Sequence, residues 1–533
     1  MNTPWRTLLW KELCEQWAVA LVLLIILLAV PPLISLTDLD SIYFGVSGTV
    51  MLAVPMIAVF IGMGIASGEH SRGTIDFLQA LPVATSRPAA AKLIVGLLSL
   101  IVPVVLAVGV FTLWHEIAPR VISNPSRLTQ MHGLVPRPWG IRHFFVGTGV
   151  TGILLSASLL IWTVAVGANR KDEISAGAWA IGVIVGIYAI VMIPLALLRE
   201  KFGTVAYQTV DQIFDLILPA FPGGVAFGES QVFYLGSSWT GRFGLPLVVA
   251  ILSHGLLIWA FLKRYGRVAS SDSQSAVPTT TASQRGWLSA PRRTRFTAVA
   301  WKTWRELAPL LIVGVAITAG MVVLYSITGV RNIAGPGSDW RELVFAIWVM
   351  IGSFVAIALG IGTIREDLEP SLHTFWRSRP TSPDGWFWTK FCFAGVMLLL
   401  VGYVAAWLHA QHGYEVAEAA FVAEIGQEIP ESAEAMYRRW APAIGVVLVH
   451  LGLYIGGVLL MILVRRPVFA AVLDAGLMIG LGFLSEYVFR WIGPTDWNGL
   501  VIGIPLVMLC MLVAALLAWQ AFKKNWSLER WLR

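Results

Sequence analysis

The chain has 533 residues, of which 57% are hydrophobic and 13% charged, with a formal net charge of +7. A soluble domain carries about 25% charged residues, so this composition excludes an ordinary water-soluble globule. Helices satisfy their own backbone hydrogen bonds and so survive in lipid, and about 20 apolar residues suffice for one crossing.

Twelve stretches meet that length, at 17–36, 46–66, 93–114, 144–166, 174–197, 243–262, 309–329, 343–364, 391–409, 441–464, 468–485 and 499–522. The predicted fold is therefore an all-α integral membrane protein. Ahead of the first span, Trp5, Leu8, Leu9, Leu13 and Trp17 share one helical face, with Arg6, Lys11, Glu12 and Glu15 elsewhere. That is the pattern of an amphipathic helix lying in the membrane interface; the competing reading is a helical extension of the span itself. No small-residue cleavage site follows this span, so a cleaved signal peptide is not expected.

After the second span comes a polar loop, Gly68-Glu69-His70-Ser71-Arg72-Gly73-Thr74, then Ile75, Phe77, Leu78 and Leu81 among Asp76 and Gln79. This predicts a short amphipathic helix that Gly73 lets start tightly and Pro82 stops, with Lys92 opening span three. Apolar side chains exposed in such a loop require a partner surface or lipid headgroups. Between spans five and six, the long outer segment 198–242 holds Asp211, Phe214, Asp215, Pro219, Phe221, Pro222, Gly223 and Gly224. It reads as broken helix, with Phe214 and Phe221 as candidate outer-gate residues. Residues 266–294, rich in Ser, Thr, Gln and Arg, read as a flexible linker.

Beyond the linker the order repeats. Trp301-Lys302 matches Trp10-Lys11, and Glu306 keeps the offset of Glu15. Phe296, Ala300, Trp304 and Leu307 form a second amphipathic segment. Arg365-Glu366-Asp367 follows the eighth span, then Leu372, Phe375 and Trp376 among His373 and Arg377, then Arg379-Pro380 and Lys390. Proline and lysine keep the same spacing in Pro82–Lys92 and Pro380–Lys390, and the last spans end alike at Lys263-Arg264 and Lys523-Lys524. Such self-similarity organises the reading of a chain. It gives three units: a six-span half at 1–265, the linker at 266–294 and a second six-span half at 295–533. Six spans is even, so the halves form a parallel repeat about an axis along the membrane normal. The excess of Lys and Arg on alternate loops places both termini in the cytoplasm. The basic balance thus reads as topology rather than nucleic-acid binding. The glutamates from Glu415 to Glu434 read as a solvated outer helix.

Chemistry-bearing constellations are few. Cys14, Cys392 and Cys510 show no metal-type spacing. His409 and His412, and the group His115, His132 and His143, read as structural or solvated rather than metal-binding. Asp474 lies near the cytoplasmic end of span eleven, where Arg465 or Arg466 offers a partner, although intramembrane carboxylates also mark ion coupling. No catalytic set and no Gly-x-x-x-x-Gly-Lys-Ser/Thr phosphate loop is found.

The Trp-Lys-Glu of the N-terminal amphipathic segment and the loop Glu69-x-x-x-Gly73-Thr74-x-x-x-Leu78-x-x-Leu81-Pro82, with Lys92 after it, resemble the permease subunits of type-2 ABC transporters. In the second half Pro370 and Ser371 replace Gly73 and Thr74. The resemblance covers both halves and implies a double-length permease. It implies interfacial helices before the first span of each half, a coupling helix after each second span, and short re-entrant helices within 198–242. It also implies separate ATP-binding subunits, as two copies or a heterodimer, which hold ATP and Mg; this chain would have no cofactor and hydrolyse nothing itself. Their expected contacts are Glu69, Gly73, Thr74, Phe77, Leu78, Leu81 and Pro82 in the loop at 67–92, and Glu366, Pro370, Ser371, Phe375 and Trp376 in the loop at 365–390. The implied setting is a bacterial cytoplasmic membrane and the implied direction is export. The alternative is a secondary transporter of the major-facilitator kind, which also has two parallel six-span halves.

Overall fold

The computed structural model describes residues 3–35, 41–71, 74–75, 84–117, 141–168, 170, 172–188, 190–191, 216–224, 244–266, 294–326, 340–368, 382–401, 433–477 and 504–528, and among these described residues thirteen α-helices carry the architecture. In chain order they are α1 (Thr3–Ser35), α2 (Ser41–Gly48), α3 (Val54–Ser71), α4 (Ser86–Ile117) and α5 (Ile141–Gly167). Then come α6 (Glu173–Tyr188), α7 (Gly244–Arg264), α8 (Arg295–Ser326), α9 (Trp340–Arg365) and α10 (Pro383–Val401). The last are α11 (Ala433–Val464), α12 (Pro467–Leu477) and α13 (Ile504–Lys524). Among the described residues, nine helices are long and apolar enough to cross a membrane, and none is in a strand. The chain is an all-α, multi-pass membrane protein. Of the twelve expected spans, the other three coincide with α6, α8 and α12.

The N-terminal segment corrects one expectation. Residues 3–16 are not a separate interfacial helix but the first turns of α1, which runs unbroken for 33 residues. At 1.5 Å per residue that is about 50 Å, well beyond the hydrocarbon thickness of about 30 Å. Residues 296–307 are likewise the first turns of α8. The physical reason is visible along α1. Trp10, Leu13, Trp17, Leu21 and Ile25 form one exposed apolar stripe, while Glu12, Val19, Leu23, Ile26 and Val30 are buried on the other face. One stripe facing outward along the whole helix leaves no reason for the chain to turn.

The second span is interrupted. Between α2 and α3, Thr49–Ala53 form a π-helical turn. Pro55 has no N–H to donate and its ring crowds the preceding turn, and a widened turn accommodates such a defect. The Thr49 hydroxyl donates to the Gly45 carbonyl (2.6 Å) within the wide turn.

One end of the bundle gathers the start of α1, the C-terminus of α3, the start of α4 and the corresponding ends of α8, α9 and α10; we call it the N-terminal face. Around it, α1 packs on α4 and α3 on α5, while α9 packs on α11 and α11 on α13. The α9–α11 contact is close because a Cβ at Gly360 would strike the Tyr454 carbonyl and lie 3.2 Å from Gly457 Cα. Small residues of this kind let membrane helices approach backbone to backbone.

Two apolar cores are joined by exchange. The first centres on α1, α3, α4 and α5 but includes Val472 of α12. The second centres on α8, α9 and α11 but includes Phe60 and Met63 of α3 and Ala178 and Ile181 of α6. The exchange is reciprocal at two glycines. Ile174 of α6 fills the space beside Gly362 of α9, 2.8 Å from where a Cβ would stand. Val468 of α12 does the same beside Gly64 of α3, at 2.9 Å.

Candidate functional site

The N-terminal face carries two buried clusters of opposite charges, one on each side of the bundle. In the first, Lys92 of α4 reaches across to two other helices. Its Nζ lies 3.0 Å from Glu12 Oε2 on α1 and 2.9 Å from Glu69 Oε1 on α3. Lys11 stands at 3.6–3.8 Å from Glu12, Glu15 and Glu69. Lys92, Glu12 and Glu69 are all buried. Thr74, the first described residue beyond α3, donates its backbone N–H to the Glu69 carbonyl (3.0 Å) and its hydroxyl to the Glu69 carboxylate. Thr74 is therefore tied to Glu69 at the end of α3, and α4, which begins at Ser86, carries Lys92.

The second cluster repeats this arrangement with different residues. Lys390 of α10, with no exposed surface, lies 2.9 Å from Glu306 Oε2 on α8 and 2.9 Å from Asp367 Oδ2. Asp367 sits in a short 3₁₀ turn, Glu366–Leu368, that closes α9. Its carboxylate also accepts a hydrogen bond from Trp386 Nε1 (2.9 Å). Lys302 completes the set at 2.8 Å from Glu306, 3.1 Å from Asp367 and 3.8 Å from Glu366. Each cluster thus joins two lysines to three carboxylates across three helices. Burial alone would push the Lys302 ammonium down, but the carboxylates of Asp367 and Glu306 outweigh it and hold the pKa above the ordinary lysine value. Glu306 is the mirror case. Burial disfavours its charge, yet Lys390 first and Lys302 besides hold its carboxyl below the usual range. A buried ion pair of this quality is rigid, and removing one partner strands a charge.

Between the two sides lies a closed apolar seam. Phe60 of α3 stacks on Phe354 of α9, with ring centroids 4.6 Å apart. Beside it is a cavity of about 10 Å³, room for one water, lined by Phe60, Met63, Glu173, Ile174, Ala358, Ile361, Pro467 and Val468. Phe60 and Met63 keep in α3 the spacing of Ala358 and Ile361 in α9; Glu173-Ile174 open α6 as Pro467-Val468 open α12. Glu173 Oε2 lies 3.5 Å from Arg365 of α9, so an ion pair spans the seam at the N-terminal face.

A third feature sits deeper on one side. Residues 216–224 form a short broken segment around the 3₁₀ turn Leu218–Ala220. Gly223, at φ +76°, is the left-handed position that glycine tolerates. Its N–H donates to Ser158 Oγ on α5 (2.8 Å), and Ser158 Oγ lies 2.7 Å from His254 Nε2 on α7. His254 Nδ1 faces the Ala250 carbonyl (2.9 Å), which assigns the proton to Nδ1 and makes Nε2 the acceptor. The Tyr188 hydroxyl donates to the Pro222 carbonyl (2.6 Å). Ser158 and His254 both lie mid-helix. Irregular backbone at such depth is tolerated only where protein satisfies it.

The expected contact residues divide three ways. Glu69 is buried and faces the Lys92 cluster rather than an outer surface, Thr74 is exposed, and Glu366 stands beside Lys302. Gly73, Phe77, Leu78, Leu81, Pro82, Pro370, Ser371, Phe375 and Trp376 lie outside the described residues, as does Phe214. Phe221 packs on Tyr188, 6.3 Å between centroids, next to the Ser158–His254 network. Among the described residues no group of three metal-ligating side chains occurs. No protein-family model matches the chain, and comparison with curated proteins gives no match either.

Proposed function

We propose that this chain is the double-length permease subunit of an ATP-driven ABC transporter, working as an exporter with separate ATP-binding subunits at its N-terminal face, which is cytoplasmic. The observation that carries the reading is the pair of lysine–carboxylate clusters. Each sits where a loop after a second span returns to the membrane, and each ties that return to the first helix of its own half. Two such clusters, with reciprocal packing at Gly64 and Gly362, support two six-span halves related by an axis along the membrane normal.

On this reading the loops at 67–92 and 365–390 are levers. Closure of the ATP-binding subunits on ATP pushes both loops. Because Lys92 and Lys390 bind the loop ends to α1 and α8, the push moves whole helices rather than bending a loop. The halves then rock about the seam, the Phe60–Phe354 stack parts, and cargo passes outward. A helical segment held at mid-depth by Ser158 and His254 shapes the exit on the first side. Lipid, rather than nucleic acid, surrounds the exposed apolar faces of α1, α7 and α13.

The test is co-purification of the full chain from its native membranes under mild detergent. A stoichiometric ATP-binding protein with a phosphate-binding loop supports the permease reading. A chain that stays alone, yet moves solute when a proton or Na⁺ gradient is applied in vesicles, replaces it with the secondary-transporter reading.

A further inference from the structure

Asp474 stands apart from everything used above. It lies two turns into α12, about 10 Å from the helix start at 1.5 Å per residue, and it has no exposed surface. Its carboxylate is aimed at α11, where Gly456 and Gly457 stand in succession. A Cβ at Gly456 would strike Asp474 Oδ1, and one at Gly457 would lie 3.3 Å from Oδ2. The two glycines therefore leave a recess that the carboxyl fills. Neither oxygen has a hydrogen-bond partner among the described residues.

No arginine at the membrane edge hydrogen-bonds either oxygen among the described residues. Arg465 donates to the Asn525 side chain. On α11, His450 faces the Val349 carbonyl and Tyr454 donates to the Phe391 carbonyl. On α9, Arg365 is 3.5 Å from Glu173. On α1, which meets α12 through Ile26 and Gly476, Lys11, Glu12 and Glu15 belong to the first cluster. A bare carboxylate in such a place costs several kcal/mol, and ionisable groups inside a membrane are retained for function.

We propose that Asp474 with the Gly456–Gly457 recess is a monovalent-cation site, filled in the closed arrangement by a proton or Na⁺. The proton fits better: Na⁺ needs several oxygen ligands and room among them, whereas the carboxyl itself already fills the recess. Separation of α12 from α11 admits water to the recess and releases the cation, so opening of the second side is linked to ion release. The site does not depend on which partner drives the chain.

Infrared difference spectroscopy of the full chain in nanodiscs tests this directly, wild type against Asp474→Asn, in sodium-free buffer at neutral pH. The expected result is a carbonyl stretch of a protonated carboxyl that is present only in the wild type. Gly456→Ala, which keeps Asp474 but crowds it, should shift that band, and this variant serves if Asp474→Asn does not fold. A missing band together with a wild-type melting temperature that rises with Na⁺ assigns Na⁺ as the occupant. A missing band with no dependence on Na⁺ overturns the site.

Discussion

Phe60 and Phe354 stack 4.6 Å apart, centroid to centroid, with planes 24° from parallel, and so join α3 to α9 at the centre of the bundle. Both rings are buried, and the cavity beside them has room for only one water. The seam is closed at these rings in this arrangement, and on the transport reading proposed above they are the contact that has to part.

Truncating the stack has two effects. Phe60→Ala should cost about 3–5 kcal/mol, the usual range for a buried phenylalanine, read as a lower unfolding temperature in nanodiscs. In the double variant Phe60→Cys with Phe354→Cys, a disulfide should raise that temperature relative to the reduced form of the same variant and stop transport, with activity restored on reduction. Full transport by the oxidised form would remove the seam from the pathway.

Lys390 is the most buried cation of the two clusters. Lys390→Met takes from Asp367 and Glu306 the buried ammonium that lies 2.9 Å from each, and loss of one partner of a buried pair costs about 3–5 kcal/mol. Lys11, half-exposed at 3.6–3.8 Å from its carboxylates, should contribute far less, since exposed pairs are worth about 0–1 kcal/mol. Thermal unfolding of Lys390→Met and Lys11→Met, compared side by side, checks the ranking.

Acid should weaken the second cluster. Glu306 is held below the usual carboxylate range by Lys390 and Lys302, against the opposing effect of burial. Its contribution is present above the ordinary carboxylate value and is lost as pH falls through its depressed folded value. The stability difference between wild type and Glu306→Gln should therefore be largest near neutrality and vanish on acidification. A difference independent of pH would falsify the assignment of that charge.

Ser158→Ala removes the acceptor of the Gly223 N–H at mid-depth. A buried donor left unmade costs about 1–3 kcal/mol. The expected readout is faster amide exchange at Gly223 and its neighbours, with exchange at the Lys390 cluster unchanged.

Much of this was legible in the chain. The spans announce themselves by length and apolarity, and the repeated spacing of Pro82–Lys92 and Pro380–Lys390 marks the lysines that organise both clusters. Their partners were not legible. Thr303 stands after Lys302 where Glu12 stands after Lys11, and Glu306, one turn further on, supplies the carboxylate to Lys390. Which acid a lysine reaches depends on how three helices rotate against one another, and no spacing along one helix encodes that. The N-terminal amphipathic stretch misled for a related reason. Its apolar stripe continues past Trp17 to Leu21 and Ile25, so an interfacial helix and the start of a long span carry the same pattern. Asp474 was visible as an oddity, but its recess exists only because Gly456 and Gly457 of another helix face it.

The central claim is that the loops after the second spans dock ATP-binding subunits. Its most direct test places a photocrosslinking residue at the exposed Thr74 in the full chain, in native membranes, and identifies the product by mass spectrometry. The expected product is a crosslink to a soluble protein bearing a phosphate-binding loop, lost when Phe77 and Leu78 are replaced by Glu while membrane insertion is unchanged. Crosslinks only to lipid or to this chain itself, in membranes where transport is active, would contradict it.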